Sequence, residues 1–311
     1  MAKAQAYGRV GLLGNPSDIY GGKCISFTFN KYAEAEIKEC RCLRIFGNDG
    51  KEENNLEYKG ADDKHKLVKA TIKRLGLEKK CFEIIYDSEV PFGSGLAGSS
   101  AIIIAATRAF NEFYNLGLDK YEVAEFSLRV ETEELGIAAG FQDRYAISFG
   151  GVTYMDFSGK EYMREDDSYG KVEQFDIFDI PFFLSLGVKP KGSSSGVHNS
   201  LRKRFLMGGN DAVQIKNEMD RIAGLAEEGK EYLLCRDWNN FGALMWENTC
   251  LRERLCPHLP MDLKMINSAM KLGALGAKVA GSGGAIVILS EDEKVFNEMS
   301  KNYPCFRPNV V

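Results

Sequence analysis

The chain has 311 residues, 44% of them apolar and 27% charged, the balance of a folded globular protein long enough for two domains. Its formal net charge is −4 and no long basic run interrupts it, which argues against nucleic acid or an anionic membrane surface as partner. No stretch approaches the roughly 18 apolar residues of a membrane span, and the opening MAKAQAYGRVGLLGN lacks a secretory core, so a cytoplasmic location is expected. Eight scattered cysteines and three histidines give no zinc-type spacing; Cys40-x-Cys42 has no second pair, and reduced thiols are expected.

In chain order, residues 7–13 and 23–38 read as strands, and the Gly/Asn/Asp-rich stretch 47–62 reads as an exposed loop. Residues 63–75 have helical spacing with Gly76 as the stop, and 81–87 form a short strand. After the segment PFGSGLAGSS comes an amphipathic helix closed by Gly117, and then a second helix over about 120–135. A strand pair is expected around 144–157, and a polar run over 158–173 approaches a domain boundary. A strand follows from about 180, then a polar loop (KPKGSSSGVHNS), helices at 211–234, 237–254 and 261–273, and the strand–loop–strand AKVAGSGGAIVILS. One more helix and a terminal strand complete an α+β chain with two helix-backed sheets.

Gly93-Ser94-Gly95-Leu96-Ala97-Gly98 fits G-x-G-x-x-G between a strand and a helix. A dinucleotide fold would need a strand ending in Asp or Glu some 20 residues on, where this chain makes another helix. A Walker A loop would need lysine where Ser99 stands. A phosphate cradle of another kind remains. Glycines admit close approach by backbone N–H groups, and the helix N-terminus adds positive potential. Ser99 or Ser100 would cap that helix, and one hydroxyl could reach a metal ion. The plainer alternative is a tight, serine-capped turn.

PFGSGLAGSSA resembles the second signature of the GHMP kinases, P-x-x-x-G-L-x-S-S-A, with one extra residue, Ala97 or Gly98. Gly8 to Asp18 (GRVGLLGNPSD) resembles their N-terminal substrate motif, and Lys278 to Ala285 (KVAGSGGA) their C-terminal glycine motif. Within the family the wording is most similar to glucuronokinases, through ELGIAAGFQDR, FGGVTYMDF and SGVHNSLRKRFL. Heptose-phosphate kinases share the GFQDRYA…FGG stretch. The chain is shorter than plant-type glucuronokinases lead one to expect, and 47–62 and 158–173 are the places for trimmed regions.

The resemblance implies an N-terminal ribosomal-protein-like α/β domain over 1–175 and a C-terminal ferredoxin-like α+β domain over 176–311. It implies ATP and Mg2+, with Pro91, Gly93, Ser94, Gly95, Leu96, Ala97, Gly98, Ser99 and Ser100 around the phosphates. Asp143 would take the proton of the attacking hydroxyl, the alternative being a turn aspartate or an ion pair with Arg144. Arg9 would stabilise the transferred phosphoryl group, or else lie on an edge strand.

Glu131 has a case from periodicity, because it falls with Ala124, Leu128 and Leu135 on the apolar side of its helix. Glu133 falls on the polar side and is expected to be solvated. A carboxylate on a buried stripe must be paired or bind a cation. The resemblance makes Glu131 and Ser100 magnesium ligands; the alternative is an ion pair with a neighbour such as Arg108. Asp18 would accept hydrogen bonds from sugar hydroxyls, or simply form a turn. Gly281, Ser282 and Gly283, with Gly284, would approach the substrate and phosphates, or form a hairpin turn. A sugar acid needs a cation, supplied from His198, Arg202, Lys203 and Arg204; Arg202 is the choice for the carboxylate, against a solvated basic patch.

The reading is an ATP- and magnesium-dependent kinase acting on the anomeric hydroxyl of glucuronate. A heptose-phosphate or other sugar kinase is the alternative within the class, and a non-catalytic or NAD-type nucleotide-binding protein the alternative outside it. The expected partner is a small sugar or sugar acid, with no nucleic acid and no membrane; the oligomeric state is not encoded in any motif.

Overall fold

The computed structural model describes residues 1–47, 49–59, 63–91, 93–160, 168–187 and 193–311, the side chains of 193–199 apart. The described residues form an α+β fold of two compact units, each assembled from several chain segments.

The first unit comprises Met1–Gly8, Lys31–Phe92 and Ala97–Phe149. It takes the start of β1 (Ala2–Leu13) and the second half of β2 (Lys23–Glu39). There β2 pairs antiparallel with β5 (Phe82–Ser88), from Ala33 opposite Ser88 to Glu39 opposite Phe82. β3 (Arg44–Phe46) runs parallel to β5, and β4 (Glu52–Glu53) pairs with β3. Four helices complete the unit: α1 (Lys66–Arg74), α2 (Gly98–Tyr114), α3 (Lys120–Arg129) and α4 (Gln142–Phe149). Leu67 and Ala70 of α1 meet Ile103 of α2 and Val130 in one apolar cluster.

Local chemistry accounts for most boundaries. Gly76, at a φ of 66°, closes α1 in the left-handed conformation. α3 opens on a full capping box between Asp119 and Glu122. α2 is closed by Asn115 at a φ of 50°, two residues ahead of the expected Gly117. The expected strand pair over 144–157 is instead α4 followed by a single strand, β6 (Val152–Asp156). Tyr145, Ala146 and Ile147 are all buried, a run that periodicity cannot divide between helix and strand. The 47–62 stretch is more than an exposed loop. Glu53 is buried and, with Asp63, surrounds the Lys69 ammonium at 3.5 and 3.0 Å.

The second unit comprises Arg9–Asn30, Gly93–Leu96 and Gly150–Val311. The first half of β2 pairs antiparallel with β6, and β6 with β7 (Lys171–Phe175). A four-stranded sheet runs in the order β11 (Cys305–Phe306), β8 (Phe182–Leu186), β10 (Ala285–Leu289), β9 (Gly276–Val279). Its helices are α5 (Ser193–Leu206), α6 (Gly209–Leu234), α7 (Trp238–Leu255), α8 (Pro260–Lys271) and α9 (Glu293–Ser300). Phe183, Met265, Ile266, Val279, Ile286 and Val295 lie in its core. Residues 193–199, expected as loop, begin α5, while 188–192 of that expectation and 161–167 of the polar run lie outside the described residues.

Candidate functional site

Within the first unit, Ser100, Glu131 and Asp143 are drawn together. Ala97 precedes α2 at a φ of 61°, a conformation that costs a non-glycine residue about 1–2 kcal/mol. Its N-cap position makes no side-chain cap bond, and Ser99 and Ser100 lie inside the helix, so the expected serine cap is replaced by a left-handed alanine. The first-turn N–H groups of α2 therefore have no side-chain acceptor at the cap.

Ser100 is buried and its hydroxyl donates to Glu131 Oε2 at 3.4 Å. Glu131 sits in a π-helical turn over Val130–Glu134, where the wider coil breaks the regular spacing assumed from sequence. Its partner is Arg144, not Arg108, and the side chains are only 4% and 5% exposed. Arg108 donates instead to the carbonyls of Gln5, Ile147 and Ser148. Arg144 also donates to Gly140 O at 2.9 Å and lies 3.8 Å from Asp143 Oδ2. Asp143 stands in the first turn of α4 with its side chain 23% exposed. Glu133 is not merely solvated: it accepts from Arg74 at 2.6 Å.

Within the second unit, Arg9 joins two glycine turns. Its backbone N–H donates to Leu96 O at 3.2 Å, and its Nη1 donates to Gly95 O at 2.7 Å and Ala280 O at 3.2 Å. The approach is too close for side chains. A Cβ at Gly95 would stand 2.6 Å from Gly283 O, and one at Gly281 would stand 2.2 Å from Gly95 O and 2.6 Å from Arg9 Nη2. Ser282 lies at the head of this turn, half-buried.

Asp18 is buried in a short 3-10 turn, Asp18–Tyr20, after the Asn15-Pro16 cis bond. Tyr20 packs edge-on against Phe205 with ring centroids 4.9 Å apart. Burial pushes the Tyr20 hydroxyl up to about 12, Asp18 adds to the rise, and the Arg202 and Arg204 cations oppose it. Asp18 and Arg202 thus lie within electrostatic range of one hydroxyl. Arg204 is paired with Asp211 at 2.8 and 2.9 Å, Lys203 is exposed, and the His198 side chain lies outside the described residues.

Among the buried polar residues to which the sequence reading gave no role are Asn248, Arg252, Asp262 and Lys278. Lys278 donates to Asn15 Oδ1 at 2.5 Å and to Val279 O at 3.0 Å. Burial, with the charge of Arg252 adding to it, holds its pKa well below the ordinary lysine value. Asp262 accepts from Gly284 N–H at 3.1 Å through both carboxylate oxygens. Asn248 and Arg252 stand four residues apart on α7, among Phe241, Met245 and Leu255. A polar pair on an apolar helix face was the available signal, the same one that singled out Glu131.

The described residues include no helix long and apolar enough to cross a membrane. Among them no cluster of three or more His, Cys, Asp or Glu side chains is arranged to hold a metal ion. The Ser100 and Glu131 oxygens are nevertheless hard donors of the kind magnesium takes in ones and twos. α2 is followed by α3, not by a strand, so the dinucleotide reading has no support in the fold.

Comparison with known proteins identifies the family. The family models of the GHMP kinases N terminal domain and the GHMP kinases C terminal match residues 65–151 and 225–305. Probable glucuronokinase 2 of Arabidopsis thaliana is 35% identical over 91% of this chain and 83% of its own length. Glucuronokinase 1 of the same plant is 32% identical with the same coverage. The D-glycero-alpha-D-manno-heptose 7-phosphate kinase of Campylobacter jejuni is 35% identical, but over 48% of each chain. Among solved structures, Lactococcus lactis galactokinase complexed with galactose superposes with a TM-score of 0.82 at 16% identity, covering 99% of this chain and 93% of its own. Methanococcus jannaschii mevalonate kinase gives 0.74 at 22% identity, covering 99% and 98%. Those two likenesses speak to the fold. With both family models matched and a glucuronokinase aligned over nine-tenths of this chain, the chain belongs to the GHMP kinases and is a small-molecule kinase similar to glucuronokinases.

Proposed function

We propose that this GHMP kinase transfers the γ-phosphoryl group of ATP to the anomeric hydroxyl of D-glucuronate, giving glucuronate 1-phosphate, in the cytoplasm. The observation that carries the reading is the meeting of Ser100, Glu131 and Asp143 within one unit, around Arg144. The identity to two glucuronokinases supports the choice of sugar. Residues 1–175 would carry the phosphate loop and the base, and 176–311 the second domain.

Phosphoryl transfer asks a protein for positioning and charge stabilisation more than for covalent chemistry. The Gly93–Ser100 loop, with Pro91 before it, and the first turn of α2 would offer N–H groups to the phosphates. Ser100 and Glu131 would hold Mg2+, which when bound neutralises phosphate charge. Asp143 Oδ2 would accept the hydroxyl proton as the new P–O bond forms and the bond to ADP breaks. Arg9, braced on Gly95 and Ala280, would place a fixed positive charge at the transferring group. Asp18 would accept from sugar hydroxyls, and Gly281, Ser282 and Gly283 would let backbone approach the substrate. Arg202, whose charge acts on the Tyr20 hydroxyl, would pair with the carboxylate.

ADP release measured with ATP and magnesium over free sugars, uronic acids and heptose 7-phosphate tests this. Turnover on glucuronate that collapses in Asp143→Ala supports both substrate and base. Turnover only on another sugar discards glucuronate, and equal rates in wild type and variant sink the Asp143 role.

A further inference from the structure

Two turns of the second unit meet one helix. Gly14 N–H donates to Asn248 Oδ1 at 3.0 Å, and Asn248 Nδ2 donates to Asn15 O at 3.2 Å. One helical turn further along α7, Arg252 Nη1 donates to Gly281 O at 2.7 Å. Residues at i and i+4 share a helix face, so one stripe of α7 touches both the 14–17 turn and the 280–284 turn.

α7 itself is seated hard against β9. A Cβ at Gly242 would fall 2.3 Å from Leu275 O, and one at Gly276 would fall 2.7 Å from Gly242 O. Beyond that contact Thr249 Oγ1 donates to Ala277 O at 3.1 Å. The helix is held to the strand by backbone contact, and its two polar side chains project from a fixed base. Such a stripe is a poor device for stability. Among the described residues Arg252 is buried without an ion pair and its Nε has no hydrogen-bond partner, Asp262 and Cys256 answering only part of its charge. A buried guanidinium in that state costs more than an apolar side chain of its size.

We propose that Asn248 and Arg252 act together as positioning residues, fixing the spacing between the turn that leads to Asp18 and the turn that holds Gly281 to Gly283. The proposal rests on the reading that these turns carry the substrate and phosphates. Neither side chain is assigned contact with a reacting atom; each acts through backbone groups. A misplacement of about 1 Å at a reacting centre is enough to lower a rate on the order of 100-fold.

The test uses full-length Asn248→Ala, Arg252→Met and the double variant, with Arg252→Lys as the conservative change that keeps a donor. Backbone hydrogen exchange is followed over 11–18 and 280–285, beside steady-state ADP release. Each single variant is expected to speed exchange at both turns. Each is expected to lower kcat about tenfold to 100-fold while KM for ATP moves less than about threefold. The double variant should be no worse than the poorer single, and Arg252→Lys should fall between wild type and Arg252→Met. Exchange that quickens only at the turn each residue touches, with kcat losses that multiply, overturns the proposal, as does unaltered kcat. Should Arg252→Met not fold, Asn248→Ala and Arg252→Lys decide by the same two readouts. A wild type silent on every sugar would sink the proposed function alone; exchange at both turns would still uphold the positioning claim, and exchange at one turn would overturn it.

Discussion

The Arg144 guanidinium pairs with the Glu131 carboxylate, and with 5% and 4% of their side chains exposed the two form a buried ion pair. Removing one partner strands the other charge in the interior, whereas removing both is far less damaging. Glu131→Gln is therefore expected to destabilise the protein by about 3–5 kcal/mol in urea unfolding. Glu131→Gln combined with Arg144→Met should recover much of that loss but no turnover. Recovery of turnover in the double variant would show that Glu131 serves the fold only.

Gly93 and Gly95 both have positive φ, at 69° and 75°, but their surroundings differ. A Cβ at Gly93 meets nothing within 4 Å, while one at Gly95 meets the Gly283 carbonyl at 2.6 Å. Gly93→Ala should cost about 1 kcal/mol from backbone strain alone. Gly95→Ala should cost about 1–3 kcal/mol more and raise KM for ATP, because backbone must move. Equal thermal shifts in the two variants would count against the close approach of the turns.

His258 lies beside Arg252 and is buried, and burial first, then the Arg252 charge, pushes its pKa down to about 4 despite the nearby Glu253 carboxylate. The unfolded chain binds this proton at higher pH than the folded one, so stability rises with pH across the interval. Unfolding free energy should fall on the order of 2–3 kcal/mol as pH drops from the ordinary histidine value to about 4. His258→Gln should flatten that limb, and an unchanged limb would assign the acid sensitivity to other groups.

Arg202→Ala should raise KM for a uronic acid about tenfold or more, the worth of one charge-assisted hydrogen bond, while leaving neutral sugars unaffected. Parallel losses on both classes would mean that Arg202 shapes the Tyr20 turn and does not read charge.

Local chemistry made a large part of this protein legible from its residues alone. Glycine spacing, Gly76 as a helix stop and three ordered motifs depend on neighbours in the chain, and the motifs led to the kinase class. Buried polarity on an apolar face also reached Glu131. Tertiary structure alone decided that Arg144, and not Arg108, is its partner, that 142–149 is helix, and that Ala97 opens α2 without a serine cap. It likewise decided that Arg9–Asn30 and Gly93–Leu96 pack with the C-terminal half, and that α7 touches both the 14–17 turn, 234 residues before Asn248 at Gly14, and the 280–284 turn. Periodicity records which side of an element is dry, but the identity of what packs there is set by long-range contacts that leave no mark on local spacing.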